Sequence, residues 1–284
     1  MNVLQETQKW LNHEDAGKII RHHSVAGGST CQSQHIETSK GRSYFVKSLD
    51  HPLNRLFYAE AFGLQAITNS GAIKTPEVFV QTDDMLILEY LAPSKTTHAY
   101  WKNFGRQLAA MHLQPVPNFG FEIDNFCGLS PQPNNITLNG HEFFAQYRLI
   151  YQSRLALDNK LLSSQDHDRV IRLCNRLPEF IPQQKPALVH GDLWQGNFSC
   201  TNSDTPVIFD PACHRGWAES DIAMTQLFGT LPNLFYQSYL EVNPLETNWH
   251  DRIMLYNLYH LLNHLNLFGR SYYPQVIKVT QRYV

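Results

Sequence analysis

The sequence has little excess charge and no long hydrophobic run. Lys and Arg total 23 against 25 Asp and Glu, a net charge of −2. This balance gives no broad attraction to nucleic acid or anionic membranes, so we expect neither as a partner. No segment reaches the roughly 20 apolar residues of a membrane span. The chain starts with Met-Asn-Val-Leu-Gln-Glu-Thr, which lacks the pattern of a secretion signal. These absences predict a cytoplasmic protein.

The cysteines are few and widely separated. Five are present, at positions 31, 127, 174, 200 and 213, and no two form a C-x-x-C pair. The common zinc and dithiol motifs are therefore absent from the sequence. An odd number of scattered cysteines suits a reducing compartment.

The periodicity of the first third predicts a sheet with helices. Alternating residues around turns predict two hairpins, at 34–47 and 76–90. Helical spacing between them predicts a helix over 52–69. Residues 1–20 also have helical spacing, with Ile20 among the expected packing contacts.

The remaining two thirds have mainly helical periodicity. Residues 113–139 are rich in Pro, Asn and Gly, which predicts a loop. The predicted helices are 98–112, 140–162, 165–177 and 250–268. A β-rich part followed by a helical part predicts an α+β fold of two lobes, with a boundary near 92–95. We therefore expect a nucleotide-binding lobe over 1–91 and a catalytic, acceptor-binding lobe over 92–284.

The segment HGDLWQGN at 190–197 carries the strongest chemical signal. Phosphoryl transfer needs a group that orients the attacking hydroxyl and oxygen ligands for Mg²⁺. His190, Asp192 and Asn197 have the spacing of the kinase catalytic loop, in which Asp is the base and Asn binds the metal. Asp210 follows an apolar strand, as the second metal ligand does in kinases, although Pro-Ala comes after it. An isolated HGD is equally compatible with a capped turn, but Asn197 and Asp210 in register favour a kinase.

A lysine and a glutamate in the first third suit the phosphates of ATP. Lys47 ends the strand Tyr44-Phe45-Val46, and Glu60 lies thirteen residues later on the predicted helix. An ammonium paired with this carboxylate is suited to hold the α- and β-phosphates. A single lysine at a strand end is more often a solvated surface residue, and it is the surrounding pattern that favours the functional interpretation.

Two further segments complete the predicted nucleotide site. Gly27, Gly28 and Ser29 form a turn before the first hairpin and are expected beside the phosphates, although the full G-x-G-x-x-G pattern is absent. The segment Leu88-Glu89-Tyr90-Leu91 lies where a kinase hinge falls. There the Glu89 carbonyl and the Leu91 amide are expected to bind adenine.

A cysteine and a pair of histidines each allow two interpretations. Cys31 follows the glycine turn, and its oxidation is a hypothesis for reversible inhibition; a small filler in a strand is the simpler interpretation. A Cys31→Ser variant that loses activity to peroxide as fast as the parent would exclude the hypothesis. His260 and His264 lie four apart on a predicted helix, but no acid completes a metal site, so packing is favoured.

Taken together, these segments resemble the fructosamine kinases, also called ketosamine kinases. They form a branch of the protein-kinase-like fold that also holds aminoglycoside phosphotransferases and choline kinases. The resemblance covers essentially the whole chain. Its most telling segments are FVK at 45–47, LEY at 88–90, HGDLWQGN at 190–197, VIFDPA at 207–212, DIAM at 221–224 and LYNLYHLLNHLNLFG at 255–269. Aminoglycoside and choline kinases generally lack the Leu-Trp after HGD and this C-terminal segment.

The resemblance implies a bilobal fold, with a small lobe of antiparallel sheet plus helix and a larger, mainly helical lobe. It implies that Asp192 is the catalytic base, that Asn197 and Asp210 bind Mg²⁺, and that Lys47 with Glu60 positions ATP. Family members phosphorylate the sugar 3-hydroxyl of ketosamines, which are glycation adducts of free amines or proteins, and the product then releases the amine. The resemblance says nothing of the oligomeric state.

Two tryptophans are candidates for contact with the acceptor. Trp194 lies two residues after Asp192, where an aromatic face would suit the C–H side of a sugar; a buried packing role is the alternative. The family commonly has Gly-His-Arg-Glu before the Asp-Leu-Ala-Met segment, whereas this chain has Gly-Trp-Ala-Glu-Ser, with Trp217 and Ala218 at the departing positions. If this loop lines the acceptor site, the preferred ketosamine differs from fructoselysine.

Two alternatives to a ketosamine kinase remain at this stage. A kinase of an aminoglycoside, choline or another small alcohol would use the same mechanism, but such cationic acceptors need clustered acids, and 140–162 offers only Glu142 and Asp158. A nucleotide-binding pseudokinase would not need Lys47, Asp192, Asn197 and Asp210 together.

Overall fold

The N-terminal third forms one antiparallel sheet in the computed structural model, which describes residues 3–25, 31–51 and 53–284. Its strands are β1 (Ile19–Ser24), β2 (Gln32–Thr38), β3 (Ser43–Ser48), β4 (Val78–Gln81) and β5 (Met85–Glu89), in the order β1-β2-β3-β5-β4. The predicted hairpins are confirmed as β2–β3 and β4–β5.

Side chains alternate along the strands, so both faces of this sheet carry apolar residues. A helix covers each face. Val46 and Ile87 face α1 (Val3–His13) and pack around Leu11. Leu86 and Leu88 point to the opposite face, where they pack against α2 (Leu56–Asn69). Lys47 alternates with Val46, so its side chain is also on the α2 face.

Two predicted boundaries in this part are wrong, and left-handed backbone is the reason. Asp15 has φ 48°, and the chain leaves α1 before it. Ile20 is consequently in strand β1, where it is 66% exposed instead of packed. Arg55 has φ 66°, so α2 begins at Leu56 and not near residue 52.

The rest of the chain is mainly helical, as predicted. The helices are α3 (His98–His112), α4 (Gly140–Phe144), a π-helical turn (Ala145–Ile150), α5 (Tyr151–Asp158), α6 (Ser164–Phe180), α7 (Ala218–Met224), α8 (Asn233–Leu240), α9 (Trp249–Phe268) and α10 (Tyr273–Tyr283). All four helical segments predicted for this part are found. The segment 140–162 is divided by the π-helical turn and ends at Asp158. Among the described helices, none is long and apolar enough to cross a bilayer.

Three short antiparallel pairs place the motif loops between the sheet and the helices. They are β6 (Asn125–Cys127) with β7 (Ser130–Gln132), β8 (Ala187–Val189) with β11 (His214–Gly216), and β9 (Phe198–Thr201) with β10 (Thr205–Ile208). The predicted loop 113–139 therefore contains one hairpin. The HGD segment follows β8, and Asp210 follows β10. Asp192 and Asp210 line a cleft together with Glu60 of α2, and Asp210 contacts Lys47 of β3.

Two hydrophobic clusters among the helices support this arrangement. One packs α6, α9 and α10 around Leu173, Leu258 and Leu262. The other packs α3 against α8 through Phe104 and Phe235 and reaches the motif loops at Leu193.

Candidate active site

Gly191 gives the HGD segment its tight turn. It has φ +80°, and a Cβ atom there would lie 2.2 Å from the carbonyl oxygen of Ala212. Both the left-handed backbone and the close approach require glycine. The turn brings Asp192 beside the strand end that carries Asp210.

A buried carboxylate on α7 holds this turn. The backbone amides of His190 and Gly191 donate to the two oxygens of Asp221, at 2.7 and 2.9 Å. His112 Nε2 lies 3.1 Å from the same carboxylate. Burial alone would favour the neutral acid, but the contacts with His112 and the turn outweigh it and hold the pKa of Asp221 below its usual value. The motif prediction assigned no role to Asp221, whose only sequence signal was its place in the DIAM segment.

His190 connects the two motif loops. Its Nδ1 accepts a hydrogen bond from the Asp192 amide at 3.2 Å, so its Nε2 carries the proton and donates to the Phe209 carbonyl at 2.9 Å. Asn197 Nδ2 donates to the Asp192 carbonyl at 2.9 Å and to its carboxylate at 3.1 Å. The structure therefore brings Asp192, Asn197 and the Asp210 loop together.

Lys47 joins the sheet to this loop. Its Nζ donates to both oxygens of Glu60, at 2.9 and 2.8 Å, and to Asp210 Oδ1 at 2.8 Å. Lys47 is only 6% exposed. Burial opposes the charged ammonium, but the two carboxylates outweigh it and raise the pKa of Lys47 above its usual value. The predicted lysine–glutamate pair is present as a buried ion pair.

Asp192 and Asp210 are close enough to influence each other. Burial first, and the charge of Asp210 second, raise the pKa of Asp192 to about 8. Asp210 has φ 59°, a left-handed conformation that costs a non-glycine residue free energy. Perturbed acids and local backbone strain of this kind cluster at functional sites.

The site opens into a cleft with two parts. One part, of about 980 Å³, is lined by Lys47, Leu88 and Glu89 of the sheet and by Leu91 after it. The other, of about 650 Å³, is lined by Asp192 and Trp194 together with Cys31 and the β6–β7 hairpin. Three side chains line both parts: Glu60, Asn197 and Asp210.

The two tryptophan candidates lie in different places. Trp194 is half-buried and lines the open part of the cleft with Asp192. Trp217 is only 3% exposed and packs between Phe119, Phe144 and Tyr256 in the helical core. It lines a separate small cavity beneath Gly191. The structure therefore does not bring Trp217 to the open cleft, and the neighbouring Glu219 is held by a buried ion pair with Arg252.

The other sequence candidates are placed as follows. Gly27, Gly28 and Ser29 lie outside the described residues. Glu89 and Leu91 line the larger part of the cleft, where the predicted adenine contacts stay a prediction. His260 lies beside Asp192, with 3.9 Å between His260 Nδ1 and Asp192 Oδ1. Among the described residues, His260 forms a group of potential metal ligands with Asp192 and Cys127, whose ligand atoms lie within 4.8 Å of one another, and His264 is not in this group.

Comparisons with known proteins first identify the kind of fold. A small antiparallel sheet, a helical remainder and a cleft with a lysine–acid pair between them are the features of a kinase-like phosphotransferase. An ADP-bound aminoglycoside phosphotransferase has the same fold at 12% identity, with a TM-score of 0.64 over 99% of this chain and 97% of that one.

The family follows from closer matches. The fructosamine kinase family model matches residues 3–284, so the chain belongs to the fructosamine kinase family and is a kinase that phosphorylates a hydroxyl group. It is 38% identical to a probable ketoamine kinase of Synechocystis sp., over 91% of this chain and 88% of that protein. It is 32% identical to the chloroplastic protein-ribulosamine 3-kinase of Arabidopsis thaliana, over 98% and 87%. A crystal structure of a candidate fructosamine-3-kinase from Thermobifida fusca superposes with a TM-score of 0.88 at 32% identity, over 99% of this chain and 97% of that one.

Proposed function

We propose that this kinase transfers the γ-phosphate of ATP to the sugar 3-hydroxyl of ketosamines of the fructosamine and ribulosamine type. The observation that carries the proposal is the junction of the two cleft parts at Asn197 and Asp210, with Asp192 on the acceptor side. Phosphorylation at this position destabilises the adduct and releases the amine, so the activity would serve deglycation. We also propose that the enzyme is cytoplasmic and that its nucleotide-binding and acceptor-binding lobes meet near residue 92.

We infer the following roles from the contacts around the junction and from the sequence motifs. Asp192 accepts the proton of the attacking hydroxyl, and Asn197 holds the Asp192 carboxylate in place. Lys47, fixed by Glu60, contacts the α- and β-phosphates, while the Glu89 carbonyl and Leu91 amide bind adenine. Gly27, Gly28 and Ser29 are assigned to the phosphates on their sequence alone.

Mg²⁺ is the metal we assign to the site. The carboxylate of Asp210 and the amide oxygen of Asn197 are the hard oxygen ligands that this ion prefers, so the donor set fits. The ion would neutralise charge on the phosphates.

The acceptor side of the cleft disfavours strongly cationic acceptors. The acids that line it are Glu60, Asp192 and Asp210, and all three already have a role with the nucleotide or the proton. Trp194 offers an aromatic face to the C–H side of a sugar. An aminoglycoside or choline kinase would need further acids, and for this reason we favour a ketosamine.

The test is a panel of acceptors incubated with the purified protein and Mg²⁺-ATP. The panel contains ribulosamines, erythrulosamines, fructosamines, aminoglycosides and choline, and a reaction without acceptor measures background ATP hydrolysis. We expect phosphate transfer to ketosamines only, with NMR placing the phosphate on O3. A higher kcat/KM for an aminoglycoside or choline than for every ketosamine would contradict the proposal.

A further inference from the structure

A row of aromatic side chains leads from Asp192 to the protein surface. Its members are His260, His264 and Phe268 of α9, with Phe228 and Tyr272 beside them; we call this row the aromatic strip. The three residues of α9 are spaced by four and therefore share one face of the helix. At 1.5 Å per residue they cover about 12 Å along the helix axis.

The strip is continuous with the acceptor part of the cleft. His260 lies beside Asp192 at its inner end. Trp194, which lines the cleft, contacts Phe228 edge-on with ring centroids 6.0 Å apart. Phe228 in turn lies 5.3 Å from His264. Two separate series of contacts thus connect the candidate base to the strip.

At the outer end of the strip, large apolar side chains are exposed to solvent. Phe228 is 46% and Phe268 47% exposed. Both contact His264, with ring centroids 5.3 and 5.5 Å apart, and Tyr272 lies 5.1 Å from the same imidazole. The opposite side of α9 is buried in the helical core. Clustered exposed rings beside a cleft mark a binding surface, whereas single exposed apolar residues need no explanation.

The strip is uncharged and still has hydrogen-bonding capacity. Burial lowers the pKa of His260 to about 3 and that of His264 to about 4, so both imidazoles are neutral near pH 7. The Nδ1 atoms of both are buried and have no hydrogen-bond partner among the described residues. Such groups are expected to find a partner, and the N–H of a substituted amine is a suitable donor.

The chemistry of the acceptor identifies what would occupy this surface. In a ketosamine the amine is separated from the 3-hydroxyl by only a few covalent bonds. When the hydroxyl faces Asp192, the amine substituent must leave the cleft close to this base. The strip is an aromatic surface that begins there.

We propose, as an inference that rests on the ketosamine function above, that the aromatic strip binds the amine substituent of the acceptor. It selects substituents with an extended apolar or aromatic stem over small polar ones. The sugar is held at Trp194, and the substituent lies along His264, Phe228 and Phe268.

The experiment compares two acceptors that differ only in the amine. These are the fructose adducts of phenethylamine and of ethanolamine, each assayed with saturating Mg²⁺-ATP. The parent should favour the phenethylamine adduct in kcat/KM. Phe228→Ala and Phe268→Ala should each reduce this preference roughly 2- to 12-fold, mainly through KM, which is the range of one aromatic contact. Phe268→Leu, which keeps an apolar side chain, should retain part of the preference.

The matched control is Phe79→Ala. Phe79 is 38% exposed on β4 and is remote from the acceptor part of the cleft, so the preference should not change. Thermal midpoints of all variants establish that they are folded. An unchanged ratio of kcat/KM in both strip variants would overturn the strip while leaving the ketosamine function intact. A parent that phosphorylates neither adduct, nor any other ketosamine of the acceptor panel, would overturn both.

Discussion

The contact between Lys47 and two carboxylates is the residue-scale feature on which nucleotide binding depends. A buried charge is tolerated only when it is paired and hydrogen-bonded. Lys47 has Glu60 on its own lobe and Asp210 on the opposite side of the cleft. Because Asp210 is the partner nearer to the solvent, it is the one we expect to exchange Lys47 for a metal and phosphate.

Replacement of Asp192 by Asn tests the assignment of the base. The amide has the size of the carboxylate but cannot accept the proton in the same way. We expect kcat to fall by about a hundred- to ten-thousand-fold, the usual range of general-base assistance. Nucleotide affinity should stay close to that of the parent, because Asp192 does not contact Lys47. Steady-state kinetics and a fluorescence titration with Mg²⁺-ATP measure the two quantities. Full activity of the variant would exclude Asp192 as the base.

Replacement of Asp210 by Ala is the contrasting variant. It removes a proposed metal ligand and one partner of Lys47, so the affinity for Mg²⁺-ATP should fall. An affinity equal to that of the parent in the same titration would count against a metal role for Asp210.

The residues of the site are predictable from sequence where spacing along the chain reflects spacing in the fold. Asp192 and Asn197 are on one short loop, and a hairpin brings Asp210 beside them, so their convergence follows from local structure. Asp221 is different. It reaches the loop from α7 across the core, and no spacing rule connects it to His190. The burial of Trp217 is also not predictable, because its position in the sequence does not reveal that it faces the core.

At the element scale, helices α3 and α8 approach each other closely at Gly105. Gly105 lies on α3, and a Cβ atom there would be 2.3 Å from the Phe235 carbonyl oxygen and 2.9 Å from the Tyr239 amide nitrogen. Backbone atoms cannot move away as a side chain can. The contact therefore requires glycine, although glycine weakens a helix by about 1 kcal/mol relative to alanine.

The variant Gly105→Ala should be destabilised despite its better helix propensity. We expect the free energy of unfolding to fall by about 1–3 kcal/mol, the usual cost of overpacking. Urea unfolding followed by circular dichroism measures it. Lys102→Ala, at an exposed position of the same helix, is the control and should change little. A Gly105→Ala variant as stable as the parent would show that the two helices separate without cost.

Long helices that bury many residues are predicted well, and elements that depend on single backbone conformations are not. The bounds of α3 agree with the prediction and those of α9 differ by one residue, because both are long and bury a continuous row of residues. The start of α2 is missed because Arg55 adopts a left-handed conformation that its residue type does not suggest. The π-helical turn at Ala145–Ile150 has no composition signal either.

At the scale of the whole molecule, the two parts are joined at the site itself. Lys47 and Glu60 belong to the N-terminal part, whereas Asp192, Asn197 and Asp210 belong to the rest of the chain. A second connection is the parallel bridge between Lys74 and Val207 of β10. Because Lys47, Glu60 and Asp210 line the cleft, Mg²⁺-ATP is expected to bind across the junction and to draw the two parts together.

Acid sensitivity is the whole-molecule prediction, because several histidines are buried in the neutral form. Burial lowers the pKa of His260 to about 3 and of His264 to about 4, while in the unfolded chain both are near 6.5. Below pH 6.5 the unfolded state therefore binds protons that the folded state does not. Through these two histidines folding is favoured above this pH, and their contribution to stability is lost as the pH falls; Asp192, with its pKa raised to about 8, acts in the opposite direction. Each such histidine should remove about 1.2 kcal/mol between pH 6 and 5, because its unfolded form is already mostly protonated there.

Urea unfolding at pH 7.5, 6 and 5 measures this loss, and two histidine variants assign it. His264→Gln removes one group that takes up a proton only on unfolding, so stability should fall less steeply between pH 6 and 5 than in the parent. His98→Gln, at an exposed position on α3, should leave the slope as it is. The reason is that solvent reaches His98 in both states, so folding does not change its hydration. Equal slopes in all three proteins would mean that His264 takes up its proton in the folded state, and that the inner face of α9 is open to water.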